Sequence, residues 1–432
     1  MDQKQDAKSS NTRRDFLKTS AVVAAGAAVA TRLSVLPKAY AAENNAIRIG
    51  MIGSGQRGCG AIVNAITACP EAKVIAMADV FKDRLENSRD TLAKARPQNI
   101  DVTPERSFVG FDSYKELLKL PEVNYVILST PPGFRSMHLR AAVEAGKNIF
   151  AEKPVAVDAP TARECFEVAE LAKTKNLGIV CGTQRRHSKA YQEMIKRVQD
   201  GDIGQILYSR AQWLQGKLWS RKRDPKWSDL EFQLRDWLYF AWLSGDFIVE
   251  QHVHNIDVVN WAMGTHPVSA VSLAGRQVRI EPEYGHTYDH FATEFEYENG
   301  AYMLSRCRQI EDCCGDVSEE IIGTTGRAKH TDGTFIKGAK PWTFQGKDVD
   351  PYTQEHVDLI ESIRAGKPLN ELKACAESSF TAVMGRMSAY TGMKITWADA
   401  IKSKEKLMPE KLAMDMKLPV PDVAMPGLTE FK

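Results

Sequence analysis

The stretch that most constrains this chain runs from Ile47 to Gly60, IRIGMIGSGQRGCG. A short apolar run (Ile47, Ile49, Met51, Ile52) ends in Gly53-Ser54-Gly55-Gln56-Arg57-Gly58. Ile62, Val63 and Ile66 then recur at helical spacing before Cys69-Pro70. Strand, tight turn and helix in that order put a G-x-G-x-x-G where a dinucleotide pyrophosphate is held. Gly53 permits the turn, Gly55 lets the backbone approach phosphate, and Gly58 lets the helix lie close to its strand. The N–H groups of the first helical turn and the helix dipole attract the anion. A second apolar run, Lys73 to Ala78, ends in Asp79, 21 residues beyond Gly58. A carboxylate there accepts from the adenosine ribose hydroxyls and repels a 2′-phosphate, so NAD is expected over NADP. Arg57 and Lys82 are the cations that would soften the preference.

The alternation of strand and helix continues. Residues 97–112, polar and broken by Pro97 and Pro104, read as a loop. Val123 to Leu128 is a buried strand ending in Ser129-Thr130-Pro131-Pro132, and a helix from Arg135 stops at Gly146. Asn148 to Ala151 is the next strand, ending in Glu152-Lys153-Pro154, followed by a helix over 160–175 and a strand from Gly178 to Cys181. Such alternation calls for an α/β, doubly wound parallel sheet, a Rossmann domain over residues 46–184. Ligands of such sheets lie at the strands' carboxyl ends, where Gly53, Thr130 and Lys153 fall. Beyond about residue 184, strand-like runs at 206–213, 268–279, 291–297 and 301–306, with Glu298-Asn299-Gly300 as a hairpin turn, predict a second, α+β domain over 185–432. Its sheet is expected to be open and mostly antiparallel or mixed.

At 432 residues the chain is long enough for two domains, and a net charge of +2 gives no footprint for nucleic acid. The first 41 residues are of another kind. Arg13-Arg14 within Thr12 to Lys18, the Ala/Val run Ala21 to Ala30 and the small-residue site Ala39-Tyr40-Ala41 read as a twin-arginine signal peptide. That makes the export machinery a partner and the periplasm the destination. The eight cysteines show no framework spacing, and no Cys/His pattern spells out a metal site.

Two stretches carry candidate chemistry. Lys153, at a strand's carboxyl end, is placed to hydrogen-bond a substrate hydroxyl, the alternative being a surface lysine. In Glu250-Gln251-His252-Val253-His254-Asn255-Ile256-Asp257, a helix aligns Glu250, His254 and Asp257, so that a carboxylate one turn away orients a basic imidazole. Read as a strand, Glu250, His252 and His254 would share a face suited to a metal. Tryptophans 213, 219, 227, 237 and 242, with Arg221-Lys222-Arg223, read either as a sugar-stacking surface or as an aromatic core beside a basic loop.

The glycine motif, Glu152-Lys153-Pro154, and Glu250 with His254 and Asp257 together resemble the glucose–fructose oxidoreductase/inositol dehydrogenase (Gfo/Idh/MocA) family, over essentially the whole mature chain, including the region of Gln354-x-His356 and Tyr390-Thr391-Gly392. The resemblance implies catalytic Lys153, His254 and Glu250 acting on a secondary alcohol of a sugar, glycoside or polyol. Gly53, Ser54, Gly55, Gln56, Arg57, Gly58, Asp79, Thr130, Glu152 and Lys153 would form the nucleotide site. Glu250 stands where the family commonly has aspartate, and His252 is an addition. An exported enzyme meets no renewable nucleotide pool, so the cofactor is expected to stay bound. The rival expectation is a glycosidase-like enzyme using bound NAD for transient C3 oxidation and elimination. The open sheet face is expected to pair with a copy of itself in a homo-oligomer.

Overall fold

The computed structural model describes residues 46–432, and the signal peptide expected over residues 1–41 lies outside them. Six parallel strands form the first sheet: β1 (Arg48–Ile52), β2 (Lys73–Asp79), β3 (Ser107–Val109), β4 (Tyr125–Leu128), β5 (Asn148–Ala151) and β6 (Ile179–Cys181), in the order β3-β2-β1-β4-β5-β6. The order reverses between β1 and β4, which opens a crevice at their carboxyl ends. Strands β4 and β5 are buried on both faces, which is why they read as continuous apolar runs. The expected loop over 97–112 is a correction: it holds a 3₁₀ turn, Pro104–Arg106, and the edge strand β3. A three-residue edge strand with only two partly buried side chains leaves little apolar signal.

The second sheet has nine strands: β7 (Ile206–Gln215), β8 (Ser269–Gly275), β9 (His290–Glu296), β10 (Tyr302–Gln309), β11 (Asp316–Gly323), β12 (Gly326–His330), β13 (Thr334–Gly338), β14 (Trp342–Thr343) and β15 (Ile395–Thr396). Their order is β14-β13-β12-β11-β7-β10-β9-β8-β15. All pairs are antiparallel except β7 with β10, so the sheet is mixed. Glu298-Asn299-Gly300 does connect β9 to β10, with Gly300 at φ +79°. One face packs on the helices Val253–Met263 and Leu372–Thr391, sharing a core that includes Ile256, Val259, Phe295, Met303, Phe380 and Met384. On the other face the register aligns Val271, Leu273 and Tyr302, all exposed.

The chain then returns to the first sheet. Leu359 and Ile360 of the helix Pro351–Arg364 join the core built on Met51, Ile62 and Phe150. Glu371 N donates to Ile179 O, and Ile179 N to Leu369 O, so the segment before the helix Leu372–Thr391 pairs beside β6. Residues far along the chain thus buttress the strand ends that form the crevice.

Candidate active site

The three glycines of the loop differ in what a side chain at each would meet. Gly53 has φ +96°, and a Cβ on it would strike the Thr130 nitrogen at 2.6 Å. A Cβ on Gly58 would collide with the Gly53 carbonyl oxygen and the Ser129 hydroxyl, so close helix–strand packing demands that glycine. Gly55 differs: a Cβ there meets no protein atom within 4 Å. Packing does not require Gly55, and the open space over its backbone fits an approaching phosphate. The helix Gln56–Ala68 has no side-chain cap and no acidic residue in its first turn, so its leading N–H groups face that space uncapped.

Asp79 is buried at the end of β2, where it accepts from Ser54 N at 2.6 Å and Phe81 N at 2.8 Å. Burial raises its carboxyl above the ordinary range, against the pull of those two N–H groups. Thr130 follows β4 and lies beside Gly53; its hydroxyl lies 3.1 Å from His138 Nδ1, and its carbonyl accepts from Arg135 at 2.6 Å. Arg57 reaches across the loop. Its Nε is 2.6 Å from Glu152 Oε1, its terminal nitrogen is 3.6 Å from the fully buried Glu355, and its guanidinium lies over the Tyr352 ring. Burial, then the neighbouring Glu152 charge, pushes the Glu355 carboxyl well above its usual range.

Lys153 and the second stretch meet in the interior. Lys153 Nζ donates to the Glu250 carbonyl at 2.5 Å and to its Oε1 at 3.2 Å. The helix expected over Glu250–Asp257 is broken. Phe247–Glu250 is a single turn entered through Asp246 at φ +73°, and the helix proper begins at Val253. The Asp246 carboxylate fixes that turn by accepting from Phe247 N, Tyr288 N and the Tyr390 hydroxyl. Glu250 is therefore turned toward Lys153, and its carboxylate has the lysine as partner where an imidazole had been expected. Asp257 is taken by a bidentate pair with Arg186 at 2.8 and 2.9 Å and by the Ser378 hydroxyl.

His254 is buried and stacked on Trp213, with ring centroids 5.8 Å apart, and its Nδ1 has no hydrogen-bond partner. Burial, followed by the charges of Lys153, Arg185 and Arg57, holds its pKa well below the ordinary value, so the ring is neutral. His252 points elsewhere, its Nε2 2.8 Å from the Ser305 hydroxyl, and burial lowers it to about 3. The strand-based metal reading thus lacks its geometry, and among the described residues no group of three or more His, Cys, Asp or Glu is arranged to hold a metal. The tryptophans divide. Trp213 stands at the site under Arg185, whereas Trp242 is buried and donates to Gln233, and Trp237 packs edge-on against Trp219. Arg185 belongs to Gln184-Arg185-Arg186, a stretch expected to edge the pocket, whereas Tyr352 and Glu355 were not legible as site residues, since only folding brings the helix Pro351–Arg364 beside the glycine loop.

Comparison with known proteins gives a family for both parts. A family model described as an oxidoreductase family with an NAD-binding Rossmann fold matches residues 47–183. The GFO/IDH/MocA C-terminal domain model matches 191–329, and a twin-arginine translocation signal model matches 10–30. The chain is 26% identical to scyllo-inositol 2-dehydrogenase (NAD(+)) of Bacillus subtilis over 336 residues, 74% of this chain and 87% of the relative. It is 25% identical to a glycosyl hydrolase family 109 protein of Shewanella baltica over 226 residues, 49% of this chain and 47% of that one. The fold is that of the aldose-aldose oxidoreductase of Caulobacter crescentus, solved with glycerol, with a TM-score of 0.63, 16% identity, and coverage of 81% of this chain and 99% of that one.

Proposed function

This chain belongs to the Gfo/Idh/MocA family of NAD-binding oxidoreductases and carries a twin-arginine signal for export, and from that premise we propose that it oxidises a secondary alcohol of a sugar, glycoside or polyol with a tightly held NAD. The observation that supports the reading is the pairing of Lys153, at the end of β5, with Glu250, four residues before the buried His254 on the helix Val253–Met263. Of all charges, that of Lys153 weighs most on the histidine. The bound nicotinamide supplies the hydride acceptor. His254, neutral and with an unpartnered ring nitrogen, takes the hydroxyl proton. An ammonium has three N–H donors; Glu250 engages two of those on Lys153, and the third holds the substrate oxygen. Glu250 acts through the lysine.

Residues 46–184 bind the nucleotide and 185–432 the substrate in this reading, with 351–391 bracing both. Asp79 favours NAD over NADP. The exposed strip of Val271, Leu273 and Tyr302 is the face for a second copy. A second reading, transient oxidation of a glycoside with loss of its aglycone, is favoured by the likeness to the glycosyl hydrolase family 109 protein. Mass spectrometry of nucleotide released from the denatured, purified protein tests the premise, with NAD expected and its absence refuting tight binding. A nitrophenyl glycoside without added NAD separates the two readings: aglycone release without net NADH marks the second.

A further inference from the structure

The basic, tryptophan-bearing run over residues 217–227 has no part in the chemistry above. It holds five cations, Lys217, Arg221, Lys222, Arg223 and Lys226, against Asp224 alone, whereas the whole chain carries only +2. Arg223 is paired with Asp229 at 2.7 Å. Lys217, Arg221, Lys222 and Lys226 are exposed, and among the described residues none of their side chains forms an ion pair. The run has no regular structure, yet buried groups hold it. The hydroxyl of the buried Tyr239 reaches the Leu218 and Trp219 carbonyls at 3.3 and 3.0 Å, and Arg221 N donates to the buried Asp236 side chain at 2.7 Å. These bonds use only the backbone of the loop, so the cationic heads stay in solvent. Trp219 packs edge-on against Trp237, is still 39% exposed, and has the Arg221 guanidinium over its ring. The run begins four residues beyond Trp213, the ring stacked on His254, and the Tyr239 that holds it lines a small cavity together with Glu250.

We propose that the loop over residues 217–227 binds an anionic carbohydrate chain, one bearing carboxylate or sulfate groups, beside the candidate active site. The choice of a carbohydrate over other anions rests on the reaction proposed above and on Trp219. An exposed indole gives the C–H face of a pyranose a large apolar contact. A guanidinium at that ring meets a carboxylate or sulfate through two parallel N–H bonds, and lysines add point charges along the chain. No ion pair within the protein is broken when Lys217, Arg221, Lys222 or Lys226 takes up an anion, so the attraction goes undiminished into binding. An anchor for a membrane surface would project an apolar side chain past its neighbours. Trp219 is instead packed on Trp237 and overlain by Arg221, an arrangement suited to a ligand that comes to the loop.

Calorimetric titration of the purified protein tests this without turnover. The probes are an oligogalacturonate, a sulfated galactan oligosaccharide, a neutral maltooligosaccharide and an oligoglutamate of matched length. The native protein should bind at least one acidic saccharide about 10-fold or more tighter than the neutral one, with the gap shrinking at high salt; the first two probes tell which anion is preferred. The double variant Arg221→Gln with Lys222→Gln should weaken the acidic saccharide by about 2- to 30-fold and leave the neutral one unchanged. Trp219→Ala should weaken both by about 2- to 10-fold. Since Arg221 and Lys222 are exposed, the urea midpoint of the double variant should match the native one. Equal affinity for acidic and neutral saccharides, or an unchanged preference in the double variant, overturns the proposal. Oligoglutamate binding as tightly as the acidic saccharide overturns it too, since the loop would then be a general polyanion surface. Cosedimentation with phosphatidylglycerol vesicles in the absence of saccharide binding overturns it in favour of a membrane contact. A preference for the acidic saccharide in a protein that releases no nucleotide and oxidises no alcohol upholds the binding surface, and the oxidoreductase reading fails alone.

Discussion

Gly55 and Gly58 differ by three positions in the sequence and are expected to fail in opposite ways when each becomes alanine. At Gly58 the new methyl would overlap the Gly53 carbonyl oxygen, a backbone atom that cannot swing aside, with Met51 Sδ behind it at 3.2 Å. Overpacking of that kind costs about 1–3 kcal/mol. Alanine returns about 1 kcal/mol through its better helix propensity. Gly58→Ala should therefore lower the stability of nucleotide-free protein by up to about 2 kcal/mol. At Gly55 the backbone has φ −77° and ψ 176°, open to any residue, and the methyl meets no protein atom within 4 Å. The reduced freedom of the unfolded chain gains about 0.4–1 kcal/mol. Loss of a good N-cap residue removes a similar ~0.5–1 kcal/mol. Stability should stay near that of the native protein.

Affinity is where Gly55→Ala should show. Displacing the pyrophosphate from one N–H forfeits about 1.5–3 kcal/mol, roughly 10- to 100-fold in Kd. Urea unfolding without nucleotide, and again with NAD fixed at 100 times the native Kd, reads both quantities. The native protein gains about 2.7 kcal/mol from the ligand, and Gly55→Ala should gain only about 0.4–1.4 kcal/mol. A full ligand increment in Gly55→Ala would refute the claim that phosphate explains the glycine. So would a stability loss without ligand as large as that of Gly58→Ala.

Lys153→Ala should cut kcat by about 10²–10⁴-fold, far more than it weakens NAD binding in a fluorescence titration; full turnover would remove the lysine from the mechanism. Because burial and the Lys153 charge keep His254 neutral, the acid limb of kcat/KM should lie below pH 6.5, and Lys153→Met should move it upward in whatever activity remains. His187 is held between Asp358, at 2.6 Å, and Glu371, at 3.3 Å. Burial opposes its charge, but those two bonds outweigh it and raise its pKa to about 10. The folded value lies above the unfolded one near 6.5, so its stabilisation is complete below pH 6.5 and disappears as pH rises toward 10. His187→Gln should accordingly cost about 3 kcal/mol in urea unfolding at pH 6, with the gap to the native protein closing by pH 10.

What lies close along the chain is readable from its residues alone. Ile47 to Gly60 specifies its own strand, turn and helix, Asp79 falls at the end of the next strand, and Glu298-Asn299-Gly300 makes its own hairpin. In each case the signal is a local period or a backbone angle that few residues accept. The edge strand β3 and the break at Gln251–His252 escaped, because the first is too short to carry a period and the second is imposed by Asp246, whose partners Tyr288 and Tyr390 come from elsewhere. Which groups face one another is set by long-range packing. It turned Glu250 onto Lys153, gave Asp257 to Arg186, set Trp213 against His254, and brought Glu355 beside Arg57 across almost 300 residues. Burial of a charged side chain is tolerable only when a partner meets it, and that partner is supplied by whichever distant segment packs alongside, a condition of the folded chain as a whole.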